Sequence, residues 1–282
     1  GRILMSKKSN TQDAIVELCL ERDGPNASMY IFTNDDVAEK ADFFDFKNKH
    51  DVTHIDTRQG LSPLMKKHDL CLFHLGSLKG EESARHCLLS PSDLAFHDFE
   101  NIDEKDKEDL DDLKPGPLDE TNSSESNILS LVYNHGILDR FLYGGDRRAS
   151  PQIYMSHRSR KNTKHRVGDI SLPTGKIQFE VDMTFAYDGK VTIFEGKNWK
   201  RNRDNFAIYQ LYMPYRHYEI MSRERPEIGI ENIDCCYLIR RQMSWGSEIF
   251  AYLYTFDDPE DLTSIRFIKN AQFNLIYRGR KK

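Results

Sequence analysis

Glu180, Asp182, Glu195 and Lys197 are the residues of this 282-residue chain whose types and spacing could perform chemistry together. One residue separates Glu180 from Asp182, and one separates Glu195 from Lys197. On extended strands each such pair shares a face. If adjacent strands bring those faces together, two or three carboxylates and one ammonium meet at a point. Like charges at that distance repel, so the group calls for a cation. Carboxylate oxygens suit Mg²⁺, which keeps several waters and bridges readily to phosphate. Such a centre could activate water and neutralise phosphate charge, with Lys197 orienting the water or stabilising a pentavalent phosphorus.

The flanking sequence predicts the elements that must position these groups. From Ile177 to Phe185 apolar residues alternate with Gln178, Glu180, Asp182 and Thr184, the pattern of a half-buried strand. Tyr187-Asp188-Gly189-Lys190 has the chemistry of a tight turn. Val191 to Lys197, rich in β-branched and aromatic residues, reads as the return strand. A basic loop, Asn198 to Arg203, follows, and then a helix from Asp204 through Tyr215.

An Asp followed on the next strand by Glu-x-Lys, here Asp182 and Glu195-Gly196-Lys197, resembles the core of the PD-(D/E)xK nuclease superfamily. Val181 stands where that pattern has a proline. In many of these nucleases the next helix carries a Gln facing the metal, followed by a Tyr, roles that Gln210 and Tyr215 would fill. EVD, FEGK and QLYMPYR together resemble a group of type II restriction endonucleases. HIDTRQGLSPLMKKHDLCLFHLG, from His54, resembles the N-terminal region that accompanies the same group.

The resemblance implies an α/β (α+β) fold: a restriction-endonuclease-like mixed β-sheet flanked by helices, preceded by a small winged-helix-like domain. It implies Mg²⁺-dependent, sequence-specific hydrolysis of double-stranded DNA, leaving a 5′-phosphate. Mn²⁺ would substitute, and Ca²⁺ would support binding without cleavage. Asp182, Glu195 and the Gly196 carbonyl would hold the metal. Lys197 would position water, Gln210 would fix the geometry, and Glu180 would add a ligand or tune the pair. A homodimer would match a palindromic site and supply one centre per strand. Two other readings stay open: a structure-specific repair or recombination nuclease, and a DNA-binding regulator with an inactive nuclease fold.

Composition divides the chain into an N-terminal domain (1–92), an acidic linker (93–126) and a nuclease-like domain (127–282). Residues 1–126 hold 15 Lys and Arg against 27 Asp and Glu, whereas residues 127–282 hold 25 against 18. The half with the candidate centre is therefore basic, as a polyanionic substrate requires. The densest basic run, residues 147–166, offers Arg158, Arg160, Lys161, Lys164 and Arg166 for DNA phosphates or a guanine edge. Lys200, Arg201, Arg203 and Arg216 lie close to Lys197 in sequence, and Arg58, Lys66 and Lys67 are the N-terminal candidates. Arg240, Arg241 and Trp245 are further substrate candidates, and the terminal RGRKK reads as a solvated tail.

Five cysteines without a C-x-x-C pair fit a reducing, cytoplasmic setting. No apolar run approaches a membrane span, and residues 1–10 lack a secretory h-region. His68, Cys71, His74, His86 and Cys87 cluster in sequence, but their spacing fits no common zinc pattern. The acidic run from Asp93 reads as a solvated linker, or more sharply as a DNA mimic covering the site. Ser126 is a cap for a helix with an apolar stripe, in which Gly136 is a weak point and His135 and Asp139 are polar.

Overall fold

The computed structural model describes residues 6–120, 125–145, 150–199 and 204–282. Ser6 caps α1 (Lys7–Asp23), whose buried Gln12, Ile15, Val16 and Cys19 fall at helical spacing on one face. β1 (Tyr30–Thr33) runs directly into α2 (Asn34–Phe43), where Thr33 and Asp36 form a reciprocal capping box. The cap thus lies one residue before Asn34. α3 (Lys49–Val52) and α4 (Pro63–Lys67) follow, then β2 (Cys71–Gly76) and β3 (Arg85–Leu89). The three strands form an antiparallel sheet in the order β1-β3-β2.

The sequence at His50 to Ile55 reads as a strand and is instead α3 and a loop. The cause is α1: Gln12 donates to the Val52 carbonyl at 2.8 Å and Lys8 to the His54 carbonyl at 2.9 Å, so side chains satisfy those acceptors. Cys71 and Cys87 are buried in the small sheet. His74 and His86 pair through their Nδ1 atoms at 2.9 Å, and His86 Nε2 meets Asn34 Oδ1 at 2.8 Å. Among the described residues no three His, Cys, Asp or Glu side chains converge in a way that could hold a metal ion.

The second part begins with β4 (Phe96–Asp98) and β5 (Lys107–Leu113), then α5 (Glu125–Asn134) and α6 (Ile137–Tyr143). Gly136, at φ 68°, breaks the expected single helix into these two. β6 (Gln152–Asn162) follows, then a small ladder of β7 (Arg166–Val167) and β8 (Ile170–Ser171). β9 (Lys176–Tyr187) and β10 (Lys190–Trp199) make the expected hairpin, with Gly189 at φ 73° in its turn. β11 (Asn205–Ala207), α7 (Tyr209–Glu224), β12 (Asn232–Met243), β13 (Gly246–Phe256) and β14 (Ile265–Tyr277) complete the chain.

Seven strands form one mixed sheet in the order β5-β14-β13-β12-β10-β9-β6. β6, β9 and β10 are an antiparallel meander, and β12 lies parallel to β10. A parallel neighbour needs a crossover, which α7 supplies. Residue parity sorts the two faces: Ile193, Cys235, Tyr237 and Ile239 join Leu211 and Tyr212 of α7 in one core, while Phe194, Cys236 and Leu238 join Ile128, Val132 and Leu138 of α5 and α6 in the other.

Over its described residues 93–120 the acidic stretch is folded into the sheets, contrary to its reading as a linker. β4 pairs with β11, and β5 is an edge strand parallel to β14. Its acids remain solvated but engaged, Glu108 with Arg140, Asp109 with Lys282 and Asp112 with Arg278. Of the C-terminal cations, Arg278, Arg280 and Lys282 are exposed yet ion-paired, Arg280 with Glu120. Charge along an exposed edge also discourages pairing with another chain. Three strands separate β5 from β10, so the β5 acids do not cover the candidate centre, and the DNA-mimic reading fails for them.

Two seams join the parts. Ser77 and Lys176 exchange backbone bonds of 3.2 and 2.9 Å, and the Gly175 N–H donates to the Leu75 carbonyl at 2.7 Å. A Cβ on Gly76 or Gly175 would strike the backbone opposite, so only glycine permits this approach. At the second seam the Arg58 N–H donates to Asn205 Oδ1 at 2.7 Å, Asn205 Nδ2 donates to Gln59 Oε1 at 3.0 Å, and the Ala207 N–H donates to the Asp56 carbonyl at 2.8 Å. Asn205 is fully buried. Asn205→Ala should cost about 2–3 kcal/mol by leaving the Arg58 N–H unsatisfied. Chemical denaturation measures this, and a loss below about 0.5 kcal/mol would mean the seam contributes little.

Acid should destabilise the fold. Burial holds His74, His86 and His217 in the neutral form, with His217 pushed down to about 4. In the unfolded chain a histidine protonates near pH 6.5. The unfolded state therefore binds more protons below that value, and stability falls as pH drops from 6.5 towards 4. His217 alone should cost about 2 kcal/mol at pH 5 relative to pH 7.5. Denaturation midpoints across that range provide the check.

Candidate functional site: an acid pair beside a buried lysine

The β9–β10 ladder runs from Tyr187↔Lys190 to Met183↔Phe194. Beyond it a side chain replaces the backbone ladder: the Gly196 N–H donates to Asp182 Oδ2 at 3.2 Å. Thr184 and Ile193 are partners in the register, and Thr184 takes a hydrogen bond from the Tyr218 hydroxyl of α7 at 3.1 Å. Glu195 and Lys197, two and four residues after Ile193, share the α7 face, and Asp182 reaches them through its bond to the Gly196 N–H. Lys197 Nζ meets Glu195 Oε1 at 3.0 Å, with the two side chains 9% and 13% exposed. A lysine so enclosed must be paired, because breaking such a pair leaves a buried charge.

α7 and the N-terminal part close the site. Gln210, on the first turn of α7, donates to Asp56 Oδ1 at 3.0 Å and accepts from the Tyr237 hydroxyl at 3.3 Å. His54 Nε2 meets the same Asp56 oxygen at 3.2 Å. That hydrogen bond raises the His54 pKa, while burial and the nearby Lys197 charge oppose the rise. Tyr209 forms a wall against His74, ring centroids 5.2 Å apart, and its buried hydroxyl has no hydrogen-bond partner among the described residues. Burial and the charges of Asp56 and Glu195 push its pKa up.

The structure thus brings together Asp182, Glu195, Gly196 and Lys197, with Gln210 alongside. Glu180 is not with them: it faces β6, taking bonds from Arg158 Nε at 3.0 Å and Ser156 Oγ at 3.3 Å. Tyr215 is buried and donates to the Phe256 carbonyl, a core role rather than a site role. The predicted helix from Asp204 starts at Tyr209 instead, because Asn205–Ala207 is taken up as β11.

Several candidate DNA contacts are structural cations. Arg216, 3% exposed, pairs with Glu219 and Glu260 and donates to the Lys164 carbonyl. Arg166 binds Asp258 and Asp261, and Arg58 binds Asp93 at 2.9 Å and Asp98 at 2.8 Å. Arg240 is buried against Ser247 and the Asp119 carbonyl, Arg241 pairs with Glu248, and Trp245 is buried. Arg158, Arg160, Lys161 and Lys164 stay exposed on β6 and the loop after it, although Arg160 also donates to Ser77 Oγ at 3.1 Å. Lys200, Arg201 and Arg203 lie outside the described residues. His135 pairs with Asp119 at 2.8 Å, away from the centre.

His54, Asp56, Tyr209 and Tyr237 were not singled out from sequence. The signal that could have found His54 and Asp56 is His-Ile-Asp, two polar groups flanking a buried apolar residue. Asp56→Asn should return the His54 titration midpoint towards 6.5 and weaken the Gln210 anchor. Histidine NMR titration reads this directly, and an unmoved midpoint would mean that Asp56 does not set the His54 charge.

Two carboxylates, Asp182 and Glu195, form the acidic donor set. Mg²⁺ is commonly held by one or two carboxylates with waters and substrate phosphates completing its shell, so these residues fit such an ion. Among the described residues no helix is long and apolar enough to cross a membrane. The family model described as "Domain of unknown function (DUF6997)" matches residues 92–274. No curated protein and no solved structure matches the chain. The matched stretch holds Asp182, Glu195, Lys197 and Gln210, whereas His54 and Asp56 reach the site from outside it.

Proposed function

We propose that this chain, which belongs to the DUF6997 family, is a Mg²⁺-dependent endonuclease hydrolysing phosphodiester bonds of double-stranded DNA. The observation that carries the reading is the meeting of Asp182 with Glu195-Gly196-Lys197 where the ladder of two adjacent antiparallel strands ends. Further support comes from the mixed sheet flanked by helices and from the exposed cations on β6. The N-terminal order of helix, strand, three helices and two strands, with its three-stranded antiparallel sheet, favours the winged-helix-like reading of that part.

Asp182 and Glu195, with the Gly196 carbonyl, would hold the ion. Bound there, Mg²⁺ supplies Lewis acidity towards a phosphate oxygen and acidifies a water. Lys197, fixed by Glu195, orients the attacking water and offsets charge on the phosphorane as it develops. The water oxygen attacks phosphorus in line, the phosphorus–O3′ bond breaks, and the products carry a 5′-phosphate and a 3′-hydroxyl. Gln210 and Asp56 hold α7 and the N-terminal loop against this centre. Arg158, Lys161 and Lys164 grip neighbouring phosphates. A homodimer would present two such centres to the two strands of a palindromic site.

Long linear DNA incubated with the protein and Mg²⁺, followed by sequencing of the ends, tests the reading. Recurrent cuts at one short sequence are expected of a restriction enzyme. Cuts confined to branched or looped DNA would replace that with a structure-specific nuclease, and no cuts at all would remove both.

A further inference from the structure

Beside the acid pair, on the same side of the sheet, lies a cleft of ≈ 930 Å³ that none of the steps above uses. Tyr154 and Met155 of β6 form one wall, Thr184 of β9 the floor, and His217, Tyr218 and Met221 of α7 the other wall. Thr184 is two residues from Asp182, so the floor begins about 7 Å along the strand from the acid pair. The volume falls within the range of roughly 300–1,000 Å³ usual for small-ligand sites.

Three observations indicate what the cleft takes. Met155 is 74% and Tyr154 48% exposed on an edge strand, an apolar rim that water solvates poorly. His217, only 6% exposed, lines the cleft, yet its Nδ1 has no hydrogen-bond partner among the described residues. Burial with Lys161 and His157 nearby keeps that ring neutral, so it can donate or accept at one nitrogen, as a nucleobase edge requires. Lys190 lines the cleft, and Arg158 and Lys161 lie exposed farther along β6. Aromatic faces, a polar group at depth and a cation in the lining, here Lys190, are a combination that binds unstacked bases.

We propose that this cleft receives one unpaired nucleobase of the DNA, held next to the phosphate that is cut. A paired duplex is too wide to enter, whereas a single base with its sugar is not. The identification of DNA as the polymer rests on the nuclease reading.

The test uses the intact protein in Ca²⁺ with three probes: a duplex carrying one bulged 2-aminopurine, the same duplex fully paired, and free 2-aminopurine deoxyribonucleoside monophosphate. The bulged duplex should bind about tenfold more tightly than the paired one and lose fluorescence on binding. Tyr154→Ala and Met155→Ala, both at exposed positions, should remove most of that preference and leave paired-duplex affinity unchanged. Equal affinity for the two duplexes, an undiminished preference in both variants, or free monophosphate binding as tight as the bulged duplex would overturn the proposal. Cleavage of plain duplex without base preference would sink the cleft's role alone. Base preference without cleavage under Mg²⁺ would sink the nuclease reading alone.

Discussion

Asp182→Asn should cleave duplex DNA at least about 10³-fold more slowly than the wild type while binding it normally in Ca²⁺. The asparagine oxygen can still accept from the Gly196 N–H, so the end of the hairpin keeps its geometry. What disappears is one of the two negative charges that would hold the ion. Asp182→Ala also removes the acceptor and adds a folding penalty of about 1–3 kcal/mol, which makes it the less clean variant. Single-turnover cleavage with a parallel Ca²⁺ binding assay separates the two effects. A rate within tenfold of wild type would take Asp182 out of the chemistry.

Lys197→Ala is the second large effect, with an expected rate loss of about 10²–10³. Here stability and activity change together, because Glu195 is left charged and mostly enclosed; breaking a buried pair costs about 3–5 kcal/mol. The double variant Glu195→Gln with Lys197→Met resolves the ambiguity. It should recover much of the stability, since neither member remains as an uncompensated charge, and should recover no cleavage. Near-normal cutting by Lys197→Ala would remove the lysine from the mechanism.

The hairpin and its constellation were legible in the sequence because two short-range rules determine them. Alternation fixes which residues share a strand face, and the tight turn at Asp188-Gly189 fixes the register that brings the strands together. The same rules could not place Glu180. Alternation groups it with Asp182, but the cross-strand Arg158 of β6 engages it, and no local pattern shows which neighbour a strand will acquire. Arg216, Arg166 and Arg58 looked like phosphate contacts from charge alone. Their partners, Glu260, Asp258 and Asp93, come from distant parts of the chain, and fold topology rather than composition pairs them. The acid-rich run hid an edge strand because an edge needs little apolar content. Asp56 was missed for a similar reason: 154 residues separate it from Gln210, and only the docking of the N-terminal part brings them together.

That docking ties the N-terminal part to the candidate centre. The loop from His54 to Gln59 is tied to β11 and to the first turn of α7 by Asp56, Arg58 and Gln59. Any shift of this part is therefore transmitted to Gln210 and to the wall of the acid centre. On the proposed reading, substrate engagement by the N-terminal part and the geometry of the centre would be linked through this one short segment.

The central claim is that Asp182 and Glu195 share a divalent ion next to Lys197 and use it to break DNA. Plasmid DNA incubated with the wild-type protein or Asp182→Asn, each with Mg²⁺ or with EDTA, tests it most directly. The account predicts breaks bearing 5′-phosphates with the wild type and Mg²⁺ alone. Equal cutting by the variant, cutting in EDTA, or intact plasmid under every condition would contradict it.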